Sequence, residues 1–394
     1  MNEETSQFIS DNSNTDVHQL ALHSNRFPLV DMPLAIRQIA GKQKIKTKVP
    51  LFFNNDEILY PLQLSLEQSS SESTARYKSA LCEGKLFVDL TGGFGVDCSF
   101  MATQFTQAIY IERQAELCNL AVHNFSALGQ NNIEVIQAES EKYLQQMKPV
   151  NWIFVDPARR SESGKKVVLL ADCEPNVSVL SLLLLEKATN VMIKLSPMLD
   201  ITAAIRDLPN TSEIHIISVE NECKEVLFIM NQPSTTNIRI KTINLSKNKI
   251  DQCFEFNIDD SASASVEYTS KIEKYLYEPN ASIMKSGAFK IIADRFDLRK
   301  LHYNTHLYTS DKLSLQFPGR IFEIIKTWNN SKPALKELTN QIPKANITTR
   351  NYPIGVDELR KKLRIKEGGD IYLFACTLAN EQRAIIECVK YNNE

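Results

Sequence analysis

The run FVDLTGGFGVD, from Phe87 to Asp97, constrains the fold of this chain more than any other segment. It has the pattern of an apolar strand that ends at Asp89 and opens into a turn containing Gly92, Gly93 and Gly95, followed by the helical pattern CSFMATQF. Glycines let the backbone of such a turn approach a ligand closely, and the N-terminus of the helix faces the same pocket. The run therefore predicts a nucleotide-binding turn in an α/β sheet.

The spacing of the glycines discriminates between cofactors. A dinucleotide fingerprint, G-x-G-x-x-G, that began at Gly93 and Gly95 would have its third glycine at Cys98, where close packing of strand and helix would suffer. The segment from Thr91 to Gly95, preceded by Asp89, instead resembles the first motif of class I S-adenosylmethionine (SAM) methyltransferases, acid-x-G-x-G-x-G. Thr91 departs from that motif at the first glycine.

A second acidic residue occupies the position expected of a ribose-binding carboxylate. The short strand AIYI ends at Glu112, 23 positions after Asp89, and a carboxylate about 20 residues beyond the glycine turn lies at the tip of the neighbouring strand. Taken alone, either acid would serve equally well as a helix N-cap or a solvated strand end. Strand, turn, helix and second acid occur together in register, which favours nucleotide binding.

Strands and helices alternate from Leu86 to Met230, the pattern of a doubly wound sheet. The apolar strands are LFVDL, AIYI, IEVI, WIFV, VMIKL, IHIISV and EVLFIM. The last two are joined by ENECK, which leaves no room for a helix, so we expect them to be antiparallel. The predicted fold class is therefore α/β: a Rossmann-like class I methyltransferase sheet with a terminal antiparallel hairpin, a helical region before it and an α+β domain after it.

The methyl acceptor is expected beyond the fourth strand, where WIFVDPARR ends the strand at Asp156 and Pro157 fixes the turn. By analogy with the D/N-P-P-aromatic motif of amino methyltransferases, Asp156 would accept a hydrogen bond or a proton from the target nitrogen. Ala158 and Arg159 replace the second proline and the aromatic residue of that motif, so base-amine methylation is one possibility among others. Arg159 and Arg160 are assigned to phosphate or substrate contact, with a solvated turn or a salt bridge as the alternative.

Two further strand ends complete the candidate site. Lys194, in VMIKLSP, would face an anionic acceptor or extend from the strand end into solvent. Glu139 would meet the adenine ring, or lie in solvent while Ser140 caps a helix. The predicted catalytic residues are Asp156, Pro157, Arg159 and Lys194. The predicted cofactor-binding residues are Asp89, Thr91, Gly92, Gly93, Gly95, Glu112, Arg113, Glu139 and Asp156, with SAM as the cofactor.

Composition excludes several other classes of protein. The 394 residues have a net charge of −2, so contact with nucleic acid would require local basic patches. The eight cysteines contain no CxxC pair, which indicates neither a zinc ribbon nor a disulfide scaffold and fits a reducing cytoplasm. The N-terminus lacks the pattern of a signal peptide, and no apolar stretch is long enough for a membrane span. We therefore expect a cytoplasmic protein without a metal or a membrane partner.

With these residues in hand, the chain resembles bacterial class I SAM-dependent methyltransferases that carry a C-terminal THUMP-like domain preceded by a small ferredoxin-like segment. The resemblance spans nearly the whole sequence, through the blocks LEQSSSESTARYKS, VDLTGGFGVD, FVDPARR, KLSP, ENECKE, YLYEPNASIMKSGAF, NTHLYTS, FPGRIFEI and NITTRNYPIGVDELRKKLRIKEGGDIYLFA. It implies a SAM methyltransferase fold and, through the THUMP-like domain, an RNA substrate. The expected domains are a helical region (1–80), the methyltransferase domain (81–232), a ferredoxin-like or linking α+β region (233–320) and the THUMP-like domain (321–394).

The segment LRKKLRIKEGGD supports an RNA partner because it crowds five positive charges into seven residues. The predicted RNA-binding residues are Arg360, Lys361, Lys362, Arg364 and Lys366. A basic helix face beside strands would follow an RNA backbone, and a solvated lysine-rich helix is the alternative. In EPNASIMKSGAF, Asn280 and its neighbours would cover the acceptor cleft or cap a helix containing Ile283 and Met284, and we favour the cap.

The sequence therefore predicts a SAM-dependent methyltransferase that acts on RNA. A small-molecule methyltransferase and a non-catalytic RNA-binding protein with a relic SAM pocket remain as alternatives. The methylated atom and the RNA species do not follow from the sequence.

Overall fold

The structure, a computed structural model, describes residues 2–159, 170–232 and 237–391. The chain divides into two compact units, one formed by residues 1–214 and 225–236 and the other by residues 215–224 and 237–394. The chain passes between the units three times, and the first two passages fall within a hairpin of the sheet described below.

The first unit contains the predicted N-terminal helices and the predicted alternation of strands and helices. Its helices are α1 (Glu3–Asp11), α2 (Val17–Leu22), α3 (Met32–Ile45), α4 (Pro50–Phe53), α5 (Gln63–Gln68), α6 (Glu72–Ser79), α7 (Val96–Met101), α8 (Ala115–Ala127), α9 (Ser140–Gln146), α10 (Val177–Lys187) and α11 (Ile201–Asp207). Its strands are β1 (Gly84–Asp89), β2 (Phe105–Glu112), β3 (Ile133–Gln137), β4 (Val150–Val155), β5 (Ala158–Arg159), β6 (Cys173–Glu174), β7 (Ala188–Leu195), β8 (Thr211–Val219) and β9 (Glu222–Asn231). Single 3-10 turns lie at Ser24–Arg26, Ala102–Gln104 and Leu170–Asp172.

Local sequence explains why the N-terminal region is helical. Asn2 and Asp16 each accept hydrogen bonds from backbone N–H groups in the first turns of α1 and α2, and Asp31 caps α3, which has a proline in its first turn. These helices bury a shared apolar core that includes Phe8 and Ile39. The predicted helical region is confirmed.

The large sheet has the strand order β3-β2-β1-β4-β7-β9-β8 within residues 84–231. The first five of these strands are parallel, whereas β9 runs antiparallel to β7. A two-residue turn at Glu220 and Asn221, both with positive φ, joins β8 to β9, as expected for a tight β-hairpin. The predicted doubly wound sheet with a terminal antiparallel hairpin is confirmed.

The central strands are buried on both faces, which explains their continuous apolar sequences. Ile153 of β4 and Val191 of β7 are fully buried, as is typical of a parallel sheet that helices cover on either side. The apolar segment VSVLSLLLLEK forms α10, and α8 ends two residues before Gly129, which takes a positive φ. This packing brings the carboxyl ends of β1, β2, β4 and β7 to one edge of the sheet.

The second unit is an α+β structure. Its helices are α12 (Ile258–Ser263), α13 (Ala281–Ser286), α14 (Phe289–Arg295), α15 (Lys332–Gln341) and α16 (Val356–Leu363). Its strands are β10 (Arg239–Leu245), β11 (Gln252–Asn257), β12 (Tyr275–Pro279), β13 (Arg299–Lys300), β14 (Tyr308–Ser310), β15 (Gly319–Asn329), β16 (Lys344–Arg350), β17 (Lys366–Thr377) and β18 (Arg383–Lys390). β10 and β11 pair antiparallel, and a further sheet has the order β13-β14-β12-β15-β18-β17-β16, in which β16 and β17 are parallel.

The block EPNASIMKSGAF has the structural role that we favour from the sequence. Asn280 caps α13 by accepting a hydrogen bond from the backbone N–H of Ile283 at 3.1 Å, and the side chain of Ile283 is fully buried. Glu278, at the end of β12, accepts hydrogen bonds from Arg320 of β15 and Arg350 of β16. This carboxylate ties three strands of the C-terminal sheet together.

Candidate cofactor and acceptor site

The turn between β1 and α7 requires glycine at three positions for different reasons. Gly93 and Gly95 have φ values of 56° and 83°, a region that residues with a Cβ rarely adopt. A Cβ on Gly92 would lie 2.2 Å from the ring of Tyr110, which donates a hydrogen bond from its hydroxyl to the carbonyl of Gly93 at 2.6 Å. The ring of Tyr110 therefore supports the turn from beneath and leaves no room for a side chain.

Thr91, the departure from the motif, connects this turn to the end of β4. Its hydroxyl oxygen accepts a hydrogen bond from the backbone N–H of Asp156 at 2.7 Å. Its own backbone N–H donates to the Asp89 carboxylate at 2.9 Å. A glycine at this position could not make the first contact, so the substitution fixes the distance between the glycine turn and the candidate acceptor residue.

Glu112 lies at the end of β2, as predicted, and faces the glycine turn. One of its carboxylate oxygens accepts a hydrogen bond from the N–H of Gly93 at 3.1 Å, and the other accepts from the N–H of Gln114 at 2.8 Å. These bonds hold the carboxylate at the mouth of the turn. Each carboxylate oxygen has a further lone pair with which it can accept a hydrogen bond from a ligand hydroxyl.

Asp89 is buried, with 1% of its surface exposed. Burial is the main cause that raises the pKa of its carboxyl to about 8; the nearby carboxylates of Asp97, Asp156 and Glu112 contribute in the same direction, and the hydrogen bond from the backbone N–H of Thr91 offsets part of the rise. Among the described residues, no cationic side chain pairs with Asp89. An acid that is buried beside a glycine turn, with no cation paired to it among the described residues, is suited to a positively charged ligand.

The structure places the remaining two cofactor candidates at the margin of this region. Arg113 is exposed and pairs with Glu174 at 3.0 Å, an arrangement worth little in water. Glu139 is exposed and is the N-cap residue of α9, without a side-chain capping bond. The alternative reading is right that Glu139 lies in solvent but wrong that Ser140 caps the helix, because Ser140 is the first residue of α9 and its hydroxyl donates to the carbonyl of Leu90 at 2.5 Å.

Asp156 and Lys194 form an ion pair at the ends of β4 and β7. The Lys194 ammonium donates to one Asp156 carboxylate oxygen at 2.5 Å, and the Asp156 side chain is 34% exposed. Burial raises the pKa of Asp156, and Lys194 offsets part of that effect. Pro157 is buried and follows directly, whereas the Arg159 side chain and Arg160 lie outside the described residues.

The Lys194 ammonium belongs to a buried charge network whose other members we did not predict. Asp97 lies 3.5 Å from Lys194 and 3.1 Å from Lys78, and Lys78 lies 2.5 Å from Glu225. The hydroxyl of Ser70 donates to Asp97 at 2.7 Å and accepts from both ammonium groups at 3.1 and 3.2 Å. We call this the Lys78–Asp97 network.

The sequence contained a signal for part of this network. Lys78 follows Ala75 and Thr74 at helical spacing on the buried face of α6, and a lysine on such a face needs a buried acid. Asp97 occupies the first turn of α7, directly after the glycines. No spacing rule connects either residue to Glu225, because their meeting depends on the order of strands in the sheet.

The residues predicted to bind RNA fall into two groups. Lys361, Lys362, Arg364 and Lys366 are exposed at the end of α16 and the start of β17. Arg360 is mostly buried and lies 3.6 Å from Asp357 and 3.5 Å from Glu367, so acids of the protein compensate its charge.

One further lysine lies beside these residues. Lys344 of β16 is the register neighbour of Lys366 of β17, and neighbouring like charges repel unless an anion lies between them. The exposed residues Lys344, Lys361, Lys362, Arg364 and Lys366 form what we call the basic surface. Apolar residues on the opposite side of α16, Leu359 and Leu363, pack into the core and hold this surface in place.

The part of the chain that the structure describes has no helix of the length and apolarity that a bilayer crossing requires. The same residues contain no group of three or more histidine, cysteine, aspartate or glutamate side chains arranged to hold a metal ion.

Two family models match the C-terminal part of the chain: a ferredoxin-like domain over residues 275–318 and a THUMP domain-like model over residues 319–389. Among solved structures, the chain is similar to a proposed methyltransferase from Porphyromonas gingivalis W83. The two sequences are 34% identical, the match covers 98% of each chain and the TM-score is 0.89. No curated protein sequence matches the chain.

More distant matches include an rRNA methylase from Streptococcus thermophilus, with 13% identity over 40% of this chain and 94% of that chain and a TM-score of 0.32. Another is an O-methyltransferase from Bacillus cereus in complex with SAH, with 12% identity over 48% of this chain and 100% of that chain and a TM-score of 0.32. Such low scores carry no argument about activity.

Proposed function

Because this chain belongs to the family of methyltransferases in which a class I fold is followed by ferredoxin-like and THUMP-like domains, we propose that it methylates RNA with SAM as the methyl donor. The observation that carries the cofactor assignment is the buried, uncompensated carboxylate of Asp89 beside the glycine turn. The THUMP-like domain and the basic surface support RNA as the acceptor.

Each residue of the site has a proposed task. Glu112 accepts hydrogen bonds from the ribose hydroxyls, and Asp89 balances the positive charge of the cofactor. The cofactor supplies an activated methyl group when bound, so the protein contributes position and exclusion of water. Asp156 has one oxygen bound to Lys194, and no donor among the described residues reaches the other. That oxygen would accept a hydrogen bond from an N–H group of the acceptor and orient its nitrogen.

Ligand binding tests the cofactor first. SAM and its demethylated product should raise the melting temperature, since a ligand at a hundredfold its dissociation constant stabilises a fold by about 2.7 kcal/mol. NAD is the control. A shift with NAD and none with SAM would contradict the assignment of the glycine turn.

Two substitutions then separate cofactor binding from methyl transfer. Asp156→Ala should abolish transfer and leave SAM affinity nearly unchanged, whereas Glu112→Ala should weaken SAM binding first. If both variants lose SAM binding equally, Asp156 does not belong to the acceptor side.

The acceptor is tested with methyl-labelled SAM and total RNA from cells that lack the gene. Label in RNA supports the proposal, and digestion to nucleosides identifies the modified atom. Turnover on small molecules with no label in RNA would favour the small-molecule alternative. Binding of RNA without any transfer would favour a relic pocket.

A further inference from the structure

Among the described residues, the Lys78–Asp97 network and Asp156, which it contacts, contain three carboxylates but only two ammonium groups. Lys78 and Lys194 face the carboxylates of Asp97, Asp156 and Glu225. The side chains of Lys78, Asp97, Glu225 and Lys194 are 0, 10, 5 and 11% exposed, against 34% for Asp156. Among the described residues, these four buried groups compensate one another, so the unbalanced negative charge lies on Asp156, the most exposed member.

Ser70 makes the arrangement of the two lysines specific. A hydroxyl can donate one hydrogen bond and accept two, and Ser70 uses all three, to Asp97, Lys78 and Lys194. The two ammonium groups are therefore held on either side of one carboxylate. A change in the charge of Lys78 or Asp97 therefore changes the electrostatic potential at Lys194 and at Asp156, to which Lys194 is bound.

Stability alone does not explain such a network. Two buried lysines lose much of their hydration, and replacing a buried ion pair by apolar residues of similar volume is often neutral or stabilising. A fixed network of this kind does supply a defined electrostatic potential at Asp156, the most exposed carboxylate that it contacts.

We infer that Lys78, Asp97 and Ser70 are positioning residues that act through Lys194 to set the ionisation of Asp156, with Lys78 favouring the ionised form and Asp97 opposing it, so that the Asp156 oxygen that no described donor reaches accepts an N–H group of the methyl acceptor. This inference rests on the proposed function, since it assigns the acceptor to the chemical class of N–H donors. The network itself can be tested without cofactor or substrate.

The charges around Asp156 predict opposite effects for two substitutions. Among the described residues, the charged groups that act on Asp156 are Lys194 on β7, Lys78 on α6, Asp97 on α7 and Asp89 on β1. Glu225 on β9 acts on Lys194 and pairs with Lys78. The positive charge of Lys78 lowers the pKa of Asp156, and the negative charge of Asp97 raises it. Lys78→Met should therefore raise the pKa of Asp156, whereas Asp97→Asn should lower it.

The measurement is a pH titration by NMR of the chain labelled with carbon-13 at the aspartate carboxyl groups, in which Asp156→Asn identifies the Asp156 signal. We expect shifts of about half a pH unit or more in opposite directions for Lys78→Met and Asp97→Asn. Lys78→Arg, which keeps the charge, should restore most of the wild-type value. The acidic limb of the pH profile of kcat/KM for methyl transfer should move in the same directions.

Lys300 offers a matched control. It is also a lysine with 1% of its surface exposed, but it donates to the carbonyls of His302 and Tyr303 outside the network. Lys300→Met should leave the titration of Asp156 unchanged even if it destabilises the chain.

Shifts of the same sign for the two network variants, or no shift, would overturn the inference. If Lys78→Met does not fold, Asp97→Asn and Lys78→Arg decide alone: a downward shift in the first and none in the second support the network. Persistence of methyl transfer in Asp156→Ala would refute the acceptor role of Asp156, whereas absence of methyl transfer by the wild-type chain would refute the proposed function. The titration reports on the network in either case.

Discussion

Replacing Asp89 with asparagine should stabilise the chain at neutral pH, although it removes a residue of the candidate site. Burial raises the pKa of Asp89 to about 8, against an ordinary value of 3.8. The folded state therefore holds a proton that the unfolded state releases, and folding becomes less favourable as the pH rises from the unfolded value through the folded one. Below about pH 4 this cost is absent, and above about pH 8 it is fully present.

The magnitude follows from the shift. Each unit of pKa difference corresponds to about 1.4 kcal/mol, so at pH 7 the buried carboxyl costs up to about 4 kcal/mol of the free energy of unfolding. Asparagine has nearly the same shape, and its side-chain oxygen can accept the hydrogen bond from Thr91. Asp89→Asn should recover much of that cost at pH 8 and little of it at pH 4.

Urea unfolding measured by tryptophan fluorescence checks this expectation. The two tryptophans lie in different units, Trp152 on β4 and Trp328 on β15, so a Trp328→Phe background reports on the first unit. Asp89→Asn should also bind SAM more weakly, because asparagine cannot balance the positive charge of the cofactor.

Asp97→Asn is a control for which we expect the opposite effect on stability at neutral pH. Burial would raise the pKa of Asp97, but Lys78 and Lys194 outweigh it and hold that pKa below its ordinary value. An acid of this kind stabilises the fold above its unfolded pKa, and the contribution is lost as the pH falls. Asp97→Asn should thus destabilise the chain at pH 7. An effect of Asp89→Asn on stability that is the same at pH 8 as at pH 4 would show that folding does not raise the pKa of Asp89.

Three further outcomes are expected. Gly92→Ala would place a Cβ 2.2 Å from the Tyr110 ring, so urea unfolding should show a loss of about 1–3 kcal/mol together with a loss of SAM affinity. Neutral substitutions at Lys361, Lys362, Arg364 and Lys366 should weaken RNA binding and reduce the slope of log K against log salt by about 0.7 for each phosphate that the protein no longer neutralises. Arg360→Gln should change that slope less, because Asp357 and Glu367 already compensate its charge. An unchanged slope in the fourfold variant would contradict the assignment of the basic surface. Glu278→Gln removes the carboxylate shared by Arg320 and Arg350 and should cost roughly 1–3 kcal/mol in unfolding of the second unit, followed by Trp328 fluorescence.

The sequence by itself determined the α/β fold and the ends of its strands. Apolar runs of strand length, separated by helical patterns, specify a doubly wound sheet, because a parallel sheet must be covered on both faces. The linker ENECK is too short for a crossover helix, which alone requires an antiparallel last strand. The positions of Asp89, Glu112, Asp156 and Lys194 at strand ends follow from the same pattern, because side chains at the carboxyl ends of parallel strands meet at one edge.

Only the tertiary structure decided which charges compensate one another. Ser70, Lys78, Asp97 and Glu225 come from segments separated by up to about 150 residues, and they meet because α6, α7, β7 and β9 pack together. In the same way, the position of Glu367 beside Arg360 separates that arginine from the exposed lysines around it. Local periodicity fixes the face on which a residue lies, whereas the energy of a buried charge depends on partners that the chain brings within a few ångströms only when it folds.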